Sequence, residues 1–306
     1  MKRIAARFVE ALLTLWLLAT LCFVLLRAAP GGPFDTEKAA APEVRAALES
    51  QYRLDRPLPA QYAAWLGDVA RGDLGPSFQY PDASVNQLLA DALPVSALNG
   101  GLALLLALLL GVPLGIGAAL RAGSWTDRVL MAGAGLGLAI PKFVAAPLLV
   151  LLFAVTLQWL PAGGWGDASN LVLPVIALAL PNLAYCARLT RASMLDAWQA
   201  EHVRAARARG LSEARLVIAH ALRPALLPVV AWLSPALVNI VTGSAVVEQV
   251  FGIPGMGRYF VQGALNRDYT LVLGVVLVVG ALVVAINVAV DALRAWMDPR
   301  LRETTA

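Results

Sequence analysis

Charge is scarce in this chain. Only 14% of its 306 residues are Asp, Glu, Lys or Arg, against about a quarter in ordinary soluble domains. Lysine is rarest: Lys2, Lys38 and Lys142 are the whole complement, so the formal net charge of +4 rests on arginine. The two cysteines, Cys22 and Cys186, each sit inside an apolar run. Two isolated thiols make neither a disulfide framework nor a zinc site, and they read as packing residues. No Lys follows a Gly, which removes the GK[ST] phosphate loop. Neither HExxH nor GxSxG occurs, and the only histidines are His202 and His220. An intramembrane protease would need a base within an apolar span, and none is there. The sequence therefore does not read as an enzyme, and any ATP hydrolysis must lie in another chain.

What is abundant is apolar surface. Hydrophobic residues make up 59% of the chain and the mean hydropathy is +0.70. So much apolar area needs lipid as its solvent. The basic residues lie in short segments beside apolar runs rather than in one patch, which argues for membrane-helix ends and against nucleic acid. The run from Phe8 to Leu26 follows Lys2, Arg3 and Arg7. It exceeds the 7–15 residues of a signal-peptide core and approaches the roughly 20 that a bilayer needs, so it predicts an uncleaved first helix. Five more spans are expected near Val95–Leu120, Val129–Leu157, Leu171–Ser193, Ala225–Val250 and Leu271–Trp296.

Arginine placement predicts orientation. Arg121 and Arg128 fall between the second and third spans. Arg204, Arg207, Arg209, Arg215 and Arg223 fall between the fourth and fifth, with Arg188 and Arg191 just before them. Arg294, Arg300 and Arg302 close the chain. With the basic N-terminus, these regions share one side, the cytoplasm, so both termini are expected there. The Gln158–Asn170 connection has no Lys or Arg, and the Pro30–Leu93 segment has more acids than bases. Both belong outside. Within the outer segment, Pro42, Glu43, Val44, Leu48 and Tyr52 predict a short amphipathic helix with Pro near its start. Tyr62, Trp65, Leu66 and Val69 predict a second. Interface anchoring and plain packing are both open for them.

Gly111, Gly115 and Gly117, then Gly133, Gly135 and Gly137, have the spacing that lets helices approach closely in lipid. Gly133–Gly137 fails as a phosphate loop because no strand precedes it. Pro113, Pro141, Pro147, Pro174, Pro181 and Pro235 interrupt the spans, which membrane helices tolerate when neighbours re-satisfy freed carbonyls.

The stretch from Glu201 to Arg215 is too structured for a mere connection. Strong helix formers run from Glu201 to Arg209. Gly210 then stops the helix in the usual position, and Ser212 is placed to cap a second helical run. A short helix, a Gly break and an exposed Leu211 make a rigid knob on a basic surface. On the residues alone, a solvated basic loop is an equal reading.

This stretch resembles the EAA loop of ABC-importer permeases, whose pattern is EAA, three residues, then Gly. Ala205, Ala206 and Gly210 occupy the matching positions. Arg204 stands in the Glu position, and His220 and Arg223 stand where the general pattern has Ile and Pro. These departures are the form of the peptide branch, which reads like VRTARAKGL…RHALRNALLPV. Here Val203–Leu211 reads VRAARARGL and His220–Val229 reads HALRPALLPV. Further blocks are similar along the whole chain: Arg27-Ala28-Ala29-Pro30-Gly31, Tyr52-Arg53-Leu54-Asp55-Arg56-Pro57, Gly72-Asp73-Leu74-Gly75, Glu248 with Phe251, Pro254-Gly255-Met256-Gly257, Asn266-Arg267-Asp268-Tyr269 and Asp298-Pro299-Arg300. Through Gly75-Pro76-Ser77-Phe78, Val144-Ala145-Ala146-Pro147 and Gly263–Tyr269 the resemblance is nearest to the B-type permeases of oligopeptide importers.

The resemblance implies an all-α integral membrane protein of the type I ABC-importer permease fold, with six transmembrane helices. It implies an N-terminal helix at 1–28, a periplasmic loop at 29–93, a five-helix core at 94–297 and a cytoplasmic tail at 298–306. The core would carry a cytoplasmic coupling loop at 195–223. The chain would be half of a pore, completed by a second homologous permease. Two ATPase subunits holding ATP and Mg2+ would dock on the loop, and an extracytoplasmic binding protein would deliver peptide. The implied ATPase-coupling residues are Glu201, Arg204, Ala205, Ala206, Arg209, Gly210, Leu211 and Ser212.

Lys142 carries its own expectation. It follows Pro141 near the middle of the third span, where a charge costs about 2.5–3.5 kcal/mol on insertion scales and should face a cavity or a partner. A peptide carboxylate, snorkelling, and an acid on the partner permease are all open. Asn239, Thr242, Ser244 and Glu248 on the fifth span are further candidates for the translocation path, or else helix–helix hydrogen bonds. A secondary transporter would need inverted repeats and intramembrane acids. No repeat is visible, and the spans hold almost no acids away from their ends. Dipeptide, nickel or another small solute stays open as cargo.

Overall fold

The computed structural model describes residues 2–29, 32 and 42–297. The expectations on Pro30, Gly31, Lys38 and the 298–306 tail fall outside these residues. Among the described residues the protein is all-helical, with one isolated bridge between Pro76 and Ser84 and no strand. The helices are α1 (Lys2–Ala28), α2 (Pro42–Gln51), α3 (Leu58–Ala70), α4 (Val85–Leu120), α5 (Trp125–Ala139), α6 (Lys142–Leu149), α7 (Ala168–Gln199), α8 (Glu201–Ala208), α9 (Glu213–Arg215), α10 (Leu222–Phe251), α11 (Met256–Leu265) and α12 (Tyr269–Met297). Five are long and apolar enough to cross a membrane, and α5 with α6 makes a sixth as one bent span. Leu12, Leu13, Trp16, Leu17, Leu21 and Leu25 on α1 are all exposed. A stripe of that size is stable in lipid and not in water.

The chain divides into two compact units, Met1–Ser96 with Pro254–Val284, and Ala97–Ile253 with Ala285–Ala306. In the first, both expected outer helices form, and Pro42 opens α2. On α3, Tyr62 and Trp65 pack on Phe23 of α1, at centroid distances of 5.2 and 5.5 Å. The Tyr62 and Thr20 hydroxyls share a 2.6 Å hydrogen bond. Arg27 lies over the rings of Phe23 and Tyr269. These contacts account for the aromatics on α3 by packing. The unit's apolar core joins Val85, Leu89 and Ala92 of α4 to Met256 of α11 and to Leu271 and Val275 of α12.

A buried carboxylate organises the segment ahead of α4. Asp268 is fully buried. Its Oδ2 accepts from the Ser77 hydroxyl and from the backbone N–H of Phe78 and Gln79. Its Oδ1 accepts from the Thr270 hydroxyl and the Leu271 N–H, which caps the first turn of α12. These hydrogen bonds replace the water that the buried carboxylate gave up. Nearby, the Tyr80 hydroxyl donates to Gln262 at 2.9 Å. Burial, with Tyr259 beside it, pushes the Tyr80 phenol above its ordinary range.

In the second unit, α7 packs against α10 and α5. The expected close approach through small residues is real at Gly111, Gly115 and Gly137. A Cβ at Gly115 would stand 2.5 Å from the Ala187 carbonyl and 2.6 Å from Thr190 Cβ, and one at Gly111 would meet Cys186. Gly117, Gly133 and Gly135 have open space instead. Cys186 is buried in this contact, as its packing role requires.

The third span is broken at Pro141, one of the prolines expected to interrupt the spans. Ile140 and Pro141 are both extended, with ψ of 114° and 147°. The two halves are bent by 102°. Proline removes an N–H and disfavours helical backbone at the residue before it. Pro113, Pro147, Pro174, Pro181 and Pro235 lie inside helices that continue past them. Past α6 the chain widens into a π-helical stretch, Val150–Thr156, before the loop that leads to α7.

Candidate functional site

Two places in the second unit collect the candidate residues. The first is the loop between α7 and α10. Only Ala200, extended at ψ 146°, separates α7 from α8. Helix α8 ends where Gly210 takes φ +83°, a backbone region closed to most side chains. The Gly210 N–H is satisfied by the Arg207 carbonyl at 2.9 Å. Ser212 takes the expected cap position, with extended backbone, but its side chain makes no capping hydrogen bond. Its carbonyl instead accepts from the Leu216 N–H. Helix α9 is one turn long and runs through a π-helical stretch, Leu216–Ala221, into α10.

The faces of α8 are sharply divided. Val203 and Ala206 are fully buried with Met194, Ala197, Leu216, Ala221 and Ala225. Full burial of a side chain such as Val203 stabilises by roughly 1.5–3 kcal/mol. Leu211 packs against the same cluster. This corrects the expected exposed Leu211: the side chain anchors the knob and does not project from it. Ala206 is likewise an anchor, fully buried in the same cluster. Glu201, Arg204, Ala205, Arg209, Gly210 and Ser212 face outward. Glu201, Arg204, Ala205 and Ala208 follow the i, i+3, i+4, i+7 spacing of one helix face. The outward surface is thus shallow at its alanines and basic at its edges.

The loop is braced from several sides. The Arg207 guanidinium lies 4.7 Å from the Trp198 ring centroid, and its Nε is 3.4 Å from Glu213. His202 Nε2 is 3.2 Å from the His220 carbonyl. Arg223 donates to the Met297 carbonyl at 3.0 Å. Beyond the loop, Arg191 of α7 donates to Asp127 of α5 through Nε at 2.6 Å and Nη2 at 2.7 Å. Asp127 Oδ2 also accepts from the Gly123 N–H. Sequence reasoning took Arg191 only as an orientation signal and passed over Asp127. An acid in an otherwise basic short turn was the signal available.

The second place is the break in the third span. Lys142 opens α6, and its ammonium crosses to α10. It donates to the Asn239 side-chain oxygen at 2.6 Å and to the Asn239 carbonyl at 2.9 Å. Thr242 is exposed near Asn239, with its hydroxyl donating to the Val238 carbonyl. Ser244 and Glu248 are not with them. Both are buried on another face of α10, where Ser244 donates to the Val241 carbonyl. The five path candidates therefore separate into exposed Asn239 and Thr242 with half-buried Lys142 beside them, and Ser244 and Glu248 in packing. Among the described residues no group of three or more His, Cys, Asp or Glu could hold a metal ion.

Residues 111–303 match the family described as binding-protein-dependent transport system inner membrane component. An oligopeptide transport system permease protein OppB of Haemophilus influenzae is 50% identical over 304 residues, covering 99% of each chain. The protein of that name from Salmonella typhimurium is 48% identical with the same coverage. A dipeptide transport system permease protein DppB of Bacillus subtilis is 40% identical over 296 residues, 97% of this chain and 96% of that one. Among solved structures, an inward-facing MetNI methionine ABC transporter chain has a TM-score of 0.57 at 20% identity, covering 69% of this chain and 97% of its own. That likeness concerns the fold alone, and it agrees with the all-helical, multi-span architecture. The chain is a member of the binding-protein-dependent transport system inner membrane component family, the membrane-spanning permeases of ABC importers.

Proposed function

We propose that this chain is one permease subunit of an ATP-driven, binding-protein-dependent importer that moves oligopeptides across the bacterial inner membrane by alternating access. The observation that carries this reading is the 50% identity to an oligopeptide permease along essentially the whole chain. The likeness to dipeptide permeases is lower, at 40% and 34%, so the longer peptide is the preferred cargo. Both termini and the α8 loop lie on the cytoplasmic side in this reading, as the arginine distribution requires. The outward face of α8, with Glu201, Arg204, Ala205, Arg209, Gly210 and Ser212, docks on an ATPase subunit, while Ala206 and Leu211 hold it to the bundle. A second permease completes the pore. Two ATPase subunits bind ATP and Mg2+, and a binding protein meets the periplasmic surface.

The test is co-purification with co-expressed candidate partners, followed by an ATPase assay. The reading expects a stable complex of this chain, one further permease and two ATPase chains, stimulated by peptide-loaded binding protein. Isolation of the chain with no ATPase partner would overturn it.

A further inference from the structure

Lys142 is seated with unusual care. Its ammonium rests where Gly243 lacks a side chain: a Cβ there would stand 2.2 Å from Nζ and 3.1 Å from Cδ. Asn239, one helical turn earlier on α10, supplies both of its acceptors. The site thus uses three residues from two helices: a cation, a paired neutral acceptor and a space left open for the cation. Just past the 102° bend at Pro141, the first residue of α6 reaches across to α10.

The partner chosen is informative. A lysine at membrane depth needs compensation, and a carboxylate would compensate it best. Among the described residues Lys142 has only the neutral oxygens of Asn239. Two of its three N–H donors are engaged, and the third is left over. Asn239 and Thr242 beside it are exposed. A permanent acid would cancel the charge. A neutral, exposed acceptor holds the ammonium while leaving its charge to an anion that comes and goes.

We propose that Lys142 is a specificity-determining cation of the translocation path, leaving Asn239 to bind a carboxylate of the passing peptide, with Gly243 keeping its seat open. This rests on the peptide-import reading above and names the chemical group that the path recognises.

The experiment uses the complete transporter in cells lacking other peptide permeases, with tetra-alanine as free acid or C-terminal amide. The same binding protein serves every strain, so only changes in the acid-to-amide uptake ratio are attributed to this chain. Lys142→Met should lower that ratio roughly tenfold, the least expected when a charge-assisted contact becomes a neutral one, while amide uptake persists. Lys142→Arg, which keeps the charge, should retain most of the ratio. Gly243→Ala, which keeps the charge but fills the seat, should lower it. An unchanged ratio in Lys142→Met would overturn the proposal. So would equal loss of both peptides in Lys142→Met, which would mark the lysine as answering an acid on the partner permease. If the unaltered transporter imports neither peptide, the importer reading fails first and this proposal with it.

Discussion

Asp127 holds Arg191 with both carboxylate oxygens, at 2.6 and 2.7 Å across 64 residues of sequence. The pair fastens the first turn of α5 to α7, and α7 continues after one residue into α8. The pair thus ties the start of the broken span to the helix that leads into α8. Asp127→Asn or Arg191→Gln removes one partner and leaves the other desolvated. Breaking a fully buried pair is strongly destabilising, because it leaves one charge uncompensated. The loss here should be smaller, because the Arg191 side chain keeps 29% of its exposure. Thermal unfolding of the detergent-purified complex should show both single variants destabilised and the double variant less so than their sum.

Gly115 and Gly117 offer a control on one helix. A methyl group at Gly115 collides with the α7 backbone, whereas one at Gly117 meets nothing within 4 Å. Gly115→Ala should cost about 1–3 kcal/mol, as overpacking does. Gly117→Ala should fall within about 0.5 kcal/mol of neutral. The same unfolding measurement checks both.

Gly210 tests the loop through its backbone alone. Its φ of +83° is strained for a side chain, yet a Cβ there has open space. The left-handed backbone costs most residues about 1–2 kcal/mol, and Asn pays less of it. Gly210→Val should lower the unfolding temperature only modestly while sharply reducing peptide imported per ATP hydrolysed, and Gly210→Asn should do both less. Leu211→Ala should behave differently. It removes packing against the buried cluster beneath α8, so stability and coupling should fall together.

Asp268 holds the segment around Ser77 by charge-assisted hydrogen bonds, each worth roughly 1.5–3 kcal/mol. Asp268→Ala should free that segment from the start of α12. Limited proteolysis should then cut between Asp73 and Ser84 far faster than in the unaltered chain. Unchanged protection would show that the apolar core of this unit holds the segment without the carboxylate.

Much of this was legible from local pattern. The spans, the two outer helices and the stop at Gly210 follow from hydrophobic runs and helix-ending chemistry, which neighbours in sequence determine. The break at Pro141 was not legible, because several prolines interrupt the spans by the same local rule and only tertiary packing decides which one bends the chain. The Asp127–Arg191 and Lys142–Asn239 contacts join residues 64 and 97 positions apart, beyond any helical period. Ser244 and Glu248 stay open between path and packing in the sequence for a related reason. A polar residue in a span suggests a cavity, but which face of α10 it occupies depends on what α7 and α6 cover. Leu211 did mislead, since an apolar residue beside a Gly break looks like an exposed tip until the underlying cluster is seen.

The central claim is that this chain carries peptide only as part of an ATP-driven complex, and one measurement addresses it. Proteoliposomes containing this chain, its partner permease and the two ATPase subunits are supplied with binding protein, labelled oligopeptide and ATP. Peptide should accumulate in the lumen against its gradient, and accumulation should stop when ATP is replaced by a non-hydrolysable analogue. Equal accumulation without ATP, or accumulation by this chain alone, would contradict the account.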